Sequence, residues 1–362
     1  DGTLIDRFVS TRVYVAVTSV TNTYFPRNEG IYHGYVGNNY TAVITASEKV
    51  LIWGANNGGN LGTGDTLSSM EPIDITGNIN ISREDSIKDM ALYSGHTMAL
   101  SEFGRVYAWG NNYSGQLGNG TTDGTLIPLE ITLMFELIPG DKIIDIESGI
   151  SFSGALSSTG EVFVWGENGS NQLGTGDDID RLTPTNITTN FPLFESEQIV
   201  KLSLGGNHGA VITNLGRVFS WGNNQAGQVG NLTTGTYESL PVDISSNFSL
   251  AVGEWINDIE MGQEHSAALT SNGRLFMWGS NVFGELGDGM ASGISTGVPQ
   301  DITSNLMLAS GETVSSLDLG ANKTAFYTSN NRLLVWGDGY SGVLGNGSTS
   351  QVESPLDITA NF

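Results

Sequence analysis

Residues 95–120, GHTMALSEFGRVYAWGNNYSGQLGNG, contain the pattern that decides the fold. The stretch RVYAWG within it alternates apolar side chains with others and ends in a Trp-Gly pair, which is typical of a β-strand. A glycine-rich segment with a Leu-Gly pair follows and indicates a turn. The Trp-Gly pair recurs six times, at intervals of 56, 56, 56, 57 and 58 residues. Its tryptophans are Trp53, Trp109, Trp165, Trp221, Trp278 and Trp336.

The spacing within the repeats separates packed strands from surface loops. From the proline of each repeat to the next Trp-Gly tryptophan there are always 37 residues, whereas from tryptophan to proline there are 19 to 21. Insertions are tolerated in loops and not in packed strands, so the variable segment is predicted to be exposed. The proline itself suits an outer strand, where its missing N–H costs least. The predicted loops are 63–71, 119–127, 175–183, 231–240, 288–298 and 346–354.

Two further strand patterns precede each Trp-Gly strand, as in SIKDMALYSG and HTMALS of residues 86–101. Four short strands in about 56 residues, with glycine-rich turns and no helical periodicity, predict an all-β chain of β-propeller blades. A single blade cannot bury both of its faces, so the blades must stack on one another.

These residues resemble the regulator of chromosome condensation repeat family, whose unit reads G-H-T-x-A-L…W-G-x-N-x-x-G-Q-L-G-x-G. The resemblance covers residues 29–362 as six repeats of about 56 residues. It implies one β-propeller domain over residues 1–362, of four-stranded blades and usually seven of them.

The N-terminal residues supply the remaining blade in this prediction. Residues 1–5, DGTLI, repeat residues 123–127, although Asp6 stands where a proline is expected. We therefore predict a seven-bladed propeller in which 1–28 form a degenerate or partial blade. The alternative is a chain cut from a longer array, with six whole blades and a place in a longer polypeptide.

Composition and charge exclude several classes of function. The 362 residues include no cysteine, which rules out thiol nucleophiles, disulfides and cysteine metal sites. With 14 Lys and Arg against 38 Asp and Glu, the net charge is −24. So acidic a protein repels nucleic acid and anionic lipid surfaces. The sequence contains no run of 18 apolar residues, so it predicts no transmembrane helix.

One repeated position and one unrepeated aromatic are the candidate binding residues. The position lies thirteen residues before each tryptophan and holds histidine three times, which suggests a polar and aromatic binding surface; the alternative is that these side chains cap a turn. Trp255 has no counterpart in the repeats, so it is an interface candidate with a core role as the alternative. The six Trp-Gly tryptophans are assigned to blade packing. The candidate binding residues are Tyr40, His96, Phe152, His208, His265, Lys323 and Trp255.

Enzyme motifs occur only in contexts that argue against them. Residues 293–297, GISTG, match a hydrolase elbow but lie in the longest variable loop with no helix after them. Residues 337–342, GDGYSG, match a dinucleotide motif but belong to the repeat turn. The acidic loop 176–181 lacks the EF-hand pattern, and calcium binding there is left open. We predict no catalytic residue, no metal ligand and no cofactor.

The sequence favours a non-enzymatic protein-interaction module that presents its variable loops to a protein partner. One alternative is a structural or adhesive segment of a larger bacterial surface protein. Another is a guanine-nucleotide exchange factor for a small GTPase, which the family resemblance implies. The absence of cysteine and the regular repeats favour a bacterial origin and an extracellular or cell-surface location, with the cytoplasm as the alternative.

Overall fold

A computed structural model describes residues 30–290 and 293–361. Its described residues form six antiparallel four-stranded sheets, one for each Trp-Gly repeat, which we call blades 1–6 in chain order. Apart from the strands, the described elements are short 3-10 turns, and none is a helix with the length and apolar character needed to cross a membrane. The all-β class and the four-stranded propeller blades are thus confirmed.

The described chain falls into two compact units. Residues 30–169 and 179–189 carry the strands of blades 1–3, and residues 170–178 and 190–361 carry those of blades 4–6. The strands of blades 1–3 are β1 (Ile31–Val36), β2 (Tyr40–Thr45), β3 (Val50–Gly54), β4 (Ser69–Asp74), β5 (Ile87–Leu92), β6 (His96–Ser101), β7 (Val106–Gly110), β8 (Thr125–Glu130), β9 (Ile143–Ser148), β10 (Phe152–Ser157), β11 (Val162–Gly166) and β12 (Arg181–Asn186). The strands of blades 4–6 are β13 (Ile199–Leu204), β14 (His208–Thr213), β15 (Val218–Asn224), β16 (Thr236–Asp243), β17 (Ile256–Met261), β18 (His265–Thr270), β19 (Leu275–Gly279), β20 (Thr296–Asp301), β21 (Val314–Leu319), β22 (Lys323–Thr328), β23 (Leu333–Gly337) and β24 (Val352–Asp357). The 3-10 turns are Thr76–Asn78, Thr132–Met134, Thr188–Asn190, Ser245–Asn247, Thr303–Leu306, Tyr340–Gly342 and Thr359–Asn361.

The prediction of seven blades is wrong, because the residues that the structure describes form six four-stranded sheets. The seventh blade rested on the usual blade number of the resembling family and on the DGTLI similarity, and residues 1–28 contain no Trp-Gly or Leu-Gly pair. Its residues, 1–28, lie outside the described part of the chain. Each Trp-Gly pair therefore marks one blade, and the pairs alone give the number observed.

Burial increases from the edge of each blade to its middle strands. In blade 2 every residue of β6 and β7 is buried, whereas β8 is mostly exposed. The middle strands bury both faces because blades stack, which explains their nearly continuous apolar sequences. The repeat prolines do lie in outer strands, as predicted, but in the middle of them. Pro72, for example, lies where the ladder between β3 and β4 is irregular, so its missing N–H interrupts no regular pairing.

In each of blades 4, 5 and 6, an arginine pairs with one carboxylate before the first strand and one at the end of the fourth strand. In blade 5, Arg274 lies between Glu254, which precedes the first strand, and Asp301, which ends the fourth; its nitrogens are 2.8 and 2.9 Å from their carboxylate oxygens. The side chain of Glu254 is fully buried, and hydrogen bonds from Arg274 hold the pKa of this carboxyl down to about 2. The equivalent trios in blades 4 and 6 are Arg217 with Glu197 and Asp243, and Arg332 with Glu312 and Asp357.

Replacing Arg274 with alanine should lower the free energy of unfolding by about 3 kcal/mol, because it leaves the buried carboxylate of Glu254 without its cation. The measurement is the denaturant midpoint at pH 7. Arg83 is exposed, and its replacement with alanine is the control, with an expected change within about 0.5 kcal/mol. Equal effects of the two substitutions would show that the trio does not stabilise the blade.

Candidate functional site

The Trp-Gly and Leu-Gly pairs of successive repeats meet at one contact. In blade 3 the indole N–H of Trp165 donates to the carbonyl oxygen of Gln116, 2.9 Å away in the turn segment of blade 2. Gly118 in that segment has φ +70°, and a Cβ on it would lie 2.8 Å from Trp165 Nε1. Only glycine therefore fits beneath the ring. Trp109, Trp221, Trp278 and Trp336 make the same indole-to-carbonyl bond with the preceding turn segment.

The residues thirteen positions before the tryptophans reach the same contact. His96 Nε2 lies 2.9 Å from the hydroxyl of Ser153, and that hydroxyl donates to the Gln116 carbonyl at 2.9 Å. Because the serine proton goes to the carbonyl, the imidazole must donate from Nε2, which fixes its tautomer. The corresponding hydrogen bonds link His208 to Ser266 and the Gln228 carbonyl, and His265 to Thr324 and the Glu285 carbonyl.

These histidines are fully buried and uncharged. Burial lowers the pKa of His96 to about 4 and the pKa values of His208 and His265 to about 3. Within the described residues, the Nδ1 atom of each has no hydrogen-bond partner. The arrangement suits a neutral ring that donates one hydrogen bond, and it gives no general base open to solvent.

The other members of this position differ in chemistry and exposure. Tyr40 is buried, and its hydroxyl accepts a hydrogen bond from Thr97 Oγ1 at 3.1 Å. Phe152 is also buried, whereas Lys323 is partly exposed. The structure thus places most of the predicted binding residues in the interior, and their role in binding a partner stays a prediction.

Trp255 lies at the other end of blade 5, just before β17. It is partly exposed and covers Gly216 of blade 4, where an added Cβ would lie 2.9 Å from the Trp255 Cβ. Lys142 covers Gly104, and Thr313 covers Gly273, in the same way. The position is therefore a repeated one at the level of structure, although its residue type varies.

The first strands of blades 4 and 5 share a buried ion cluster. Lys201 Nζ contacts Asp258 and lies 2.7 Å from Glu260 Oε1. Burial alone would lower the pKa of Lys201, but the two carboxylates raise it above its ordinary value. Ser203 completes the cluster, because its hydroxyl lies 3.3 Å from Glu260 and accepts the N–H of Met261. The side chains satisfy one another, which is what a structural cluster requires.

In blades 1, 2, 4 and 5 a buried asparagine holds the variable loop in shape. Asn112, the third residue after Trp109, accepts the N–H of Leu117 at 2.9 Å and donates to the carbonyls of Thr121 and Asp123, both also at 2.9 Å. Asn56 and Asn224 bond their own loops in the same way. Asn281 also accepts the N–H of Leu286, but its amide donates to the carboxylate of Asp288. Sequence reasoning missed this residue, although asparagine recurs at this position in five of the six repeats and Gly339 replaces it in the sixth.

The loops so fixed expose large apolar side chains that differ from blade to blade. The predicted loop segments prove to include the first residues of the outer strands, as at β4 and β8. Met70 in blade 1 is 98 % exposed, and Leu67 beside it is 71 % exposed. Exposed apolar residues in the loops of blades 3 to 5 include Ile179, Leu232, Tyr237, Met290 and Ile294. In each compact unit, exposed apolar residues of this kind are available for contact with another molecule.

The two segments that match enzyme motifs lack the structure that a hydrolase elbow or a dinucleotide site requires. In the described part of 293–297, Thr296 already begins β20, and 337–342 contain the end of β23 and a 3-10 turn. Neither segment leads into an α-helix, which both chemistries need. Among the described residues there is no group of three or more histidines and acidic residues that could hold a metal ion.

A family model described as RCC1-like domain matches residues 11–361. The ultraviolet-B receptor UVR8 of Arabidopsis thaliana is 29 % identical over 316 residues, which are 86 % of this chain and 66 % of the receptor. The E3 ubiquitin-protein ligase HERC2 of Homo sapiens is 27 % identical over 321 residues, or 88 % of this chain but 6 % of the ligase. This chain thus spans less than two thirds of either relative, and both are eukaryotic, so they do not support the predicted bacterial origin.

A solved structure has the same fold at lower identity. It is described as that of Prp20p from Saccharomyces cerevisiae and its binding properties to Gsp1p and histones. The identity is 23 %, the TM-score is 0.74, and the match covers 93 % of this chain and 79 % of that one. At this identity the likeness concerns the fold alone.

Proposed function

Because this chain belongs to the RCC1-like domain family, we propose that it is a non-enzymatic protein-interaction module whose variable loops contact a protein partner. The observation that carries the proposal is a contrast within the loops of blades that have the asparagine, such as blades 1 and 4. A buried asparagine and its hydrogen bonds fix the backbone, while exposed apolar side chains such as Met70 and Leu232 change from blade to blade. A rigid scaffold that presents variable apolar anchors loses little entropy when it binds a protein.

The relatives are consistent with this role but do not define it. Prp20p is described as binding Gsp1p and histones, and UVR8 is described as a receptor. The partner of this chain is therefore sought among proteins. Because the chain carries a charge of −24, its loops would favour a partner with a neutral or basic surface.

The test is to capture a partner and then to remove the loop anchors. The chain is immobilised and exposed to source-cell lysate, and separately to envelope and medium fractions, and the retained proteins are identified by mass spectrometry at two salt concentrations. For a stoichiometric partner, replacing Leu67 and Met70 with serine, together with Leu232 and Tyr237, should weaken binding about a hundredfold, because apolar anchors dominate interface energies.

The control replaces exposed apolar residues outside the loops. Leu133 is 94 % exposed after β8, and Leu215 is 57 % exposed between β14 and β15. Serine at these two positions should leave binding within about twofold. A partner that binds the loop variant as tightly as the original chain would refute the proposal. A small GTPase among the partners, with faster release of labelled GDP, would instead favour the exchange-factor alternative.

A further inference from the structure

A cleft of 410 Å³ lies beside the turn segments of blades 1 and 2, within one compact unit. Its walls are made of asparagine, glycine, serine, threonine and tyrosine residues with one alanine and one leucine. None of these side chains carries a charge, although the chain as a whole stands at −24. The cleft is thus a neutral, hydrogen-bonding site in an acidic protein, and it adjoins the loops proposed above, which contribute Thr66, Gly124 and Leu126 to its lining.

The cleft contains a backbone donor whose acceptor is missing. In blade 1 the N–H of Asn56 donates to Ser68 Oγ at 3.2 Å, and in blade 3 the N–H of Asn168 donates to Asp180 Oδ1 at 2.8 Å. Both acceptors stand twelve residues after the asparagine. The residue twelve after Asn112 is Gly124, which has no side chain to offer.

Within the described chain, no other atom accepts a hydrogen bond from the Asn112 N–H. Asn112 and Gly124 both line the cleft. A Cβ on Gly124 would lie 2.6 Å from the Gly110 carbonyl oxygen, so the position cannot simply regain a side chain. The two neighbouring blades show which kind of atom fills this place, namely an oxygen.

An aromatic ring and amide side chains flank that donor. Tyr113 lines the cleft and is 85 % exposed, so its ring is free to stack on a ligand. Asn57 and Asn111 add side-chain amides, each with both a donor and an acceptor, and Thr66 adds a hydroxyl. A charged ligand would find no countercharge here, and a purely apolar one would leave these polar groups unpaired.

We propose that this cleft binds a neutral saccharide of one or two sugar units. A sugar supplies hydroxyl oxygens for the Asn112 N–H and, as both donors and acceptors, for the asparagine amides. The C–H face of a pyranose ring stacks on the ring of Tyr113, which supplies the apolar part of the contact. The volume is that of a small-ligand site.

The test uses an array of neutral glycans, followed by titration of the best mono- or disaccharide by saturation-transfer NMR with the whole chain. Tyr113→Ala should weaken binding about tenfold, because the stacking surface is lost. Gly58→Ser should also weaken it, because it narrows the cleft. Serine stands at the Gly58 position in three other repeats, as Ser114, Ser170 and Ser341, so this variant is expected to fold normally.

Tyr340→Ala is the matched control. Tyr340 holds the same repeat position as Tyr113 and is 76 % exposed, but it lies beside Lys323 and Asp338 in a different depression. This variant should bind the saccharide within about twofold of the original chain. The proposal is overturned if no neutral glycan binds, or if binding survives both Tyr113→Ala and Gly58→Ser. Selection of peptides from a displayed library at this cleft, without any saccharide binding, would assign it to a protein segment instead.

Discussion

Replacing Trp165 with alanine is expected to lower the free energy of unfolding by about 4 kcal/mol. The side chain is fully buried. The Phe135 ring makes edge-to-face contacts with Phe163 and Trp165, at centroid distances of 5.3 and 5.5 Å. The substitution would create a cavity between blades 2 and 3 and remove the indole bond to the Gln116 carbonyl. The measurement is the shift in denaturant midpoint at constant slope, recorded at pH 7.

Trp53 provides the control for that substitution within the same repeat position. It is partly exposed, whereas the other five Trp-Gly tryptophans are fully buried. Trp53→Ala should therefore cost no more than about half as much, because less apolar surface returns to water. If both variants lose the same stability, burial between blades does not explain why the Trp-Gly pair recurs.

The repeats allowed the blades to be predicted from the sequence because each blade copies its packing residues. The Trp-Gly spacing gave the positions of the middle strands, and the constant distance from proline to tryptophan separated strands from loops. The requirement for Leu-Gly has a simple cause at Gly118, where the indole of Trp165 leaves no room for a Cβ. Periodic sequence carries this information because the same contact is built five times.

Features that join two repeats could not be predicted in the same way. The partner of His96 is Ser153, which lies 57 residues further along the chain. The sequence holds a trace of this pairing, because Phe152, which cannot hydrogen-bond, is followed one repeat later by Gly209 where other repeats have serine or threonine. Comparing one position among the six repeats does not reveal this pairing. It appears only when the residue thirteen before a tryptophan is compared with the residue twelve before the tryptophan of the next repeat.

The candidate interaction surfaces follow from departures from the repeat. Gly124 replaces a side chain that supplies an acceptor in blades 1 and 3, and this departure leaves a donor open in the cleft. Among the loop anchors, the exposed Leu232 stands where the other five repeats have glycine. A repeat therefore identifies the scaffold, and its exceptions identify where other molecules can be recognised.

Lowering the pH from 7 to 5 is expected to reduce the free energy of unfolding by about 6 kcal/mol, of which each buried histidine contributes about 2 kcal/mol. In the unfolded chain a histidine has a pKa near 6.5. Burial lowers the pKa of His96 to about 4 and those of His208 and His265 to about 3 in the folded chain. Between these values the unfolded chain binds protons that the folded chain excludes, so stability falls as the pH falls from about 6.5 towards 4.

Two variants separate this effect from the titration of the acidic residues. His208→Phe combined with Ser266→Gly copies the natural pair Phe152 and Gly209, and it should remove about a third of the loss between pH 7 and 5. Ser266→Gly alone keeps the buried imidazole of His208 and should leave the pH dependence close to that of the original chain. Unfolded carboxyl groups titrate mostly below pH 5, whereas burial raises the pKa values of Glu260 and Glu285, whose contribution has the opposite sign; the comparison between variants therefore isolates the imidazole. The measurement is the denaturant midpoint at half-unit steps of pH, which gives the slope of the free energy of unfolding against pH. If the double variant has the same slope as the original chain, the buried imidazole accepts a proton without unfolding.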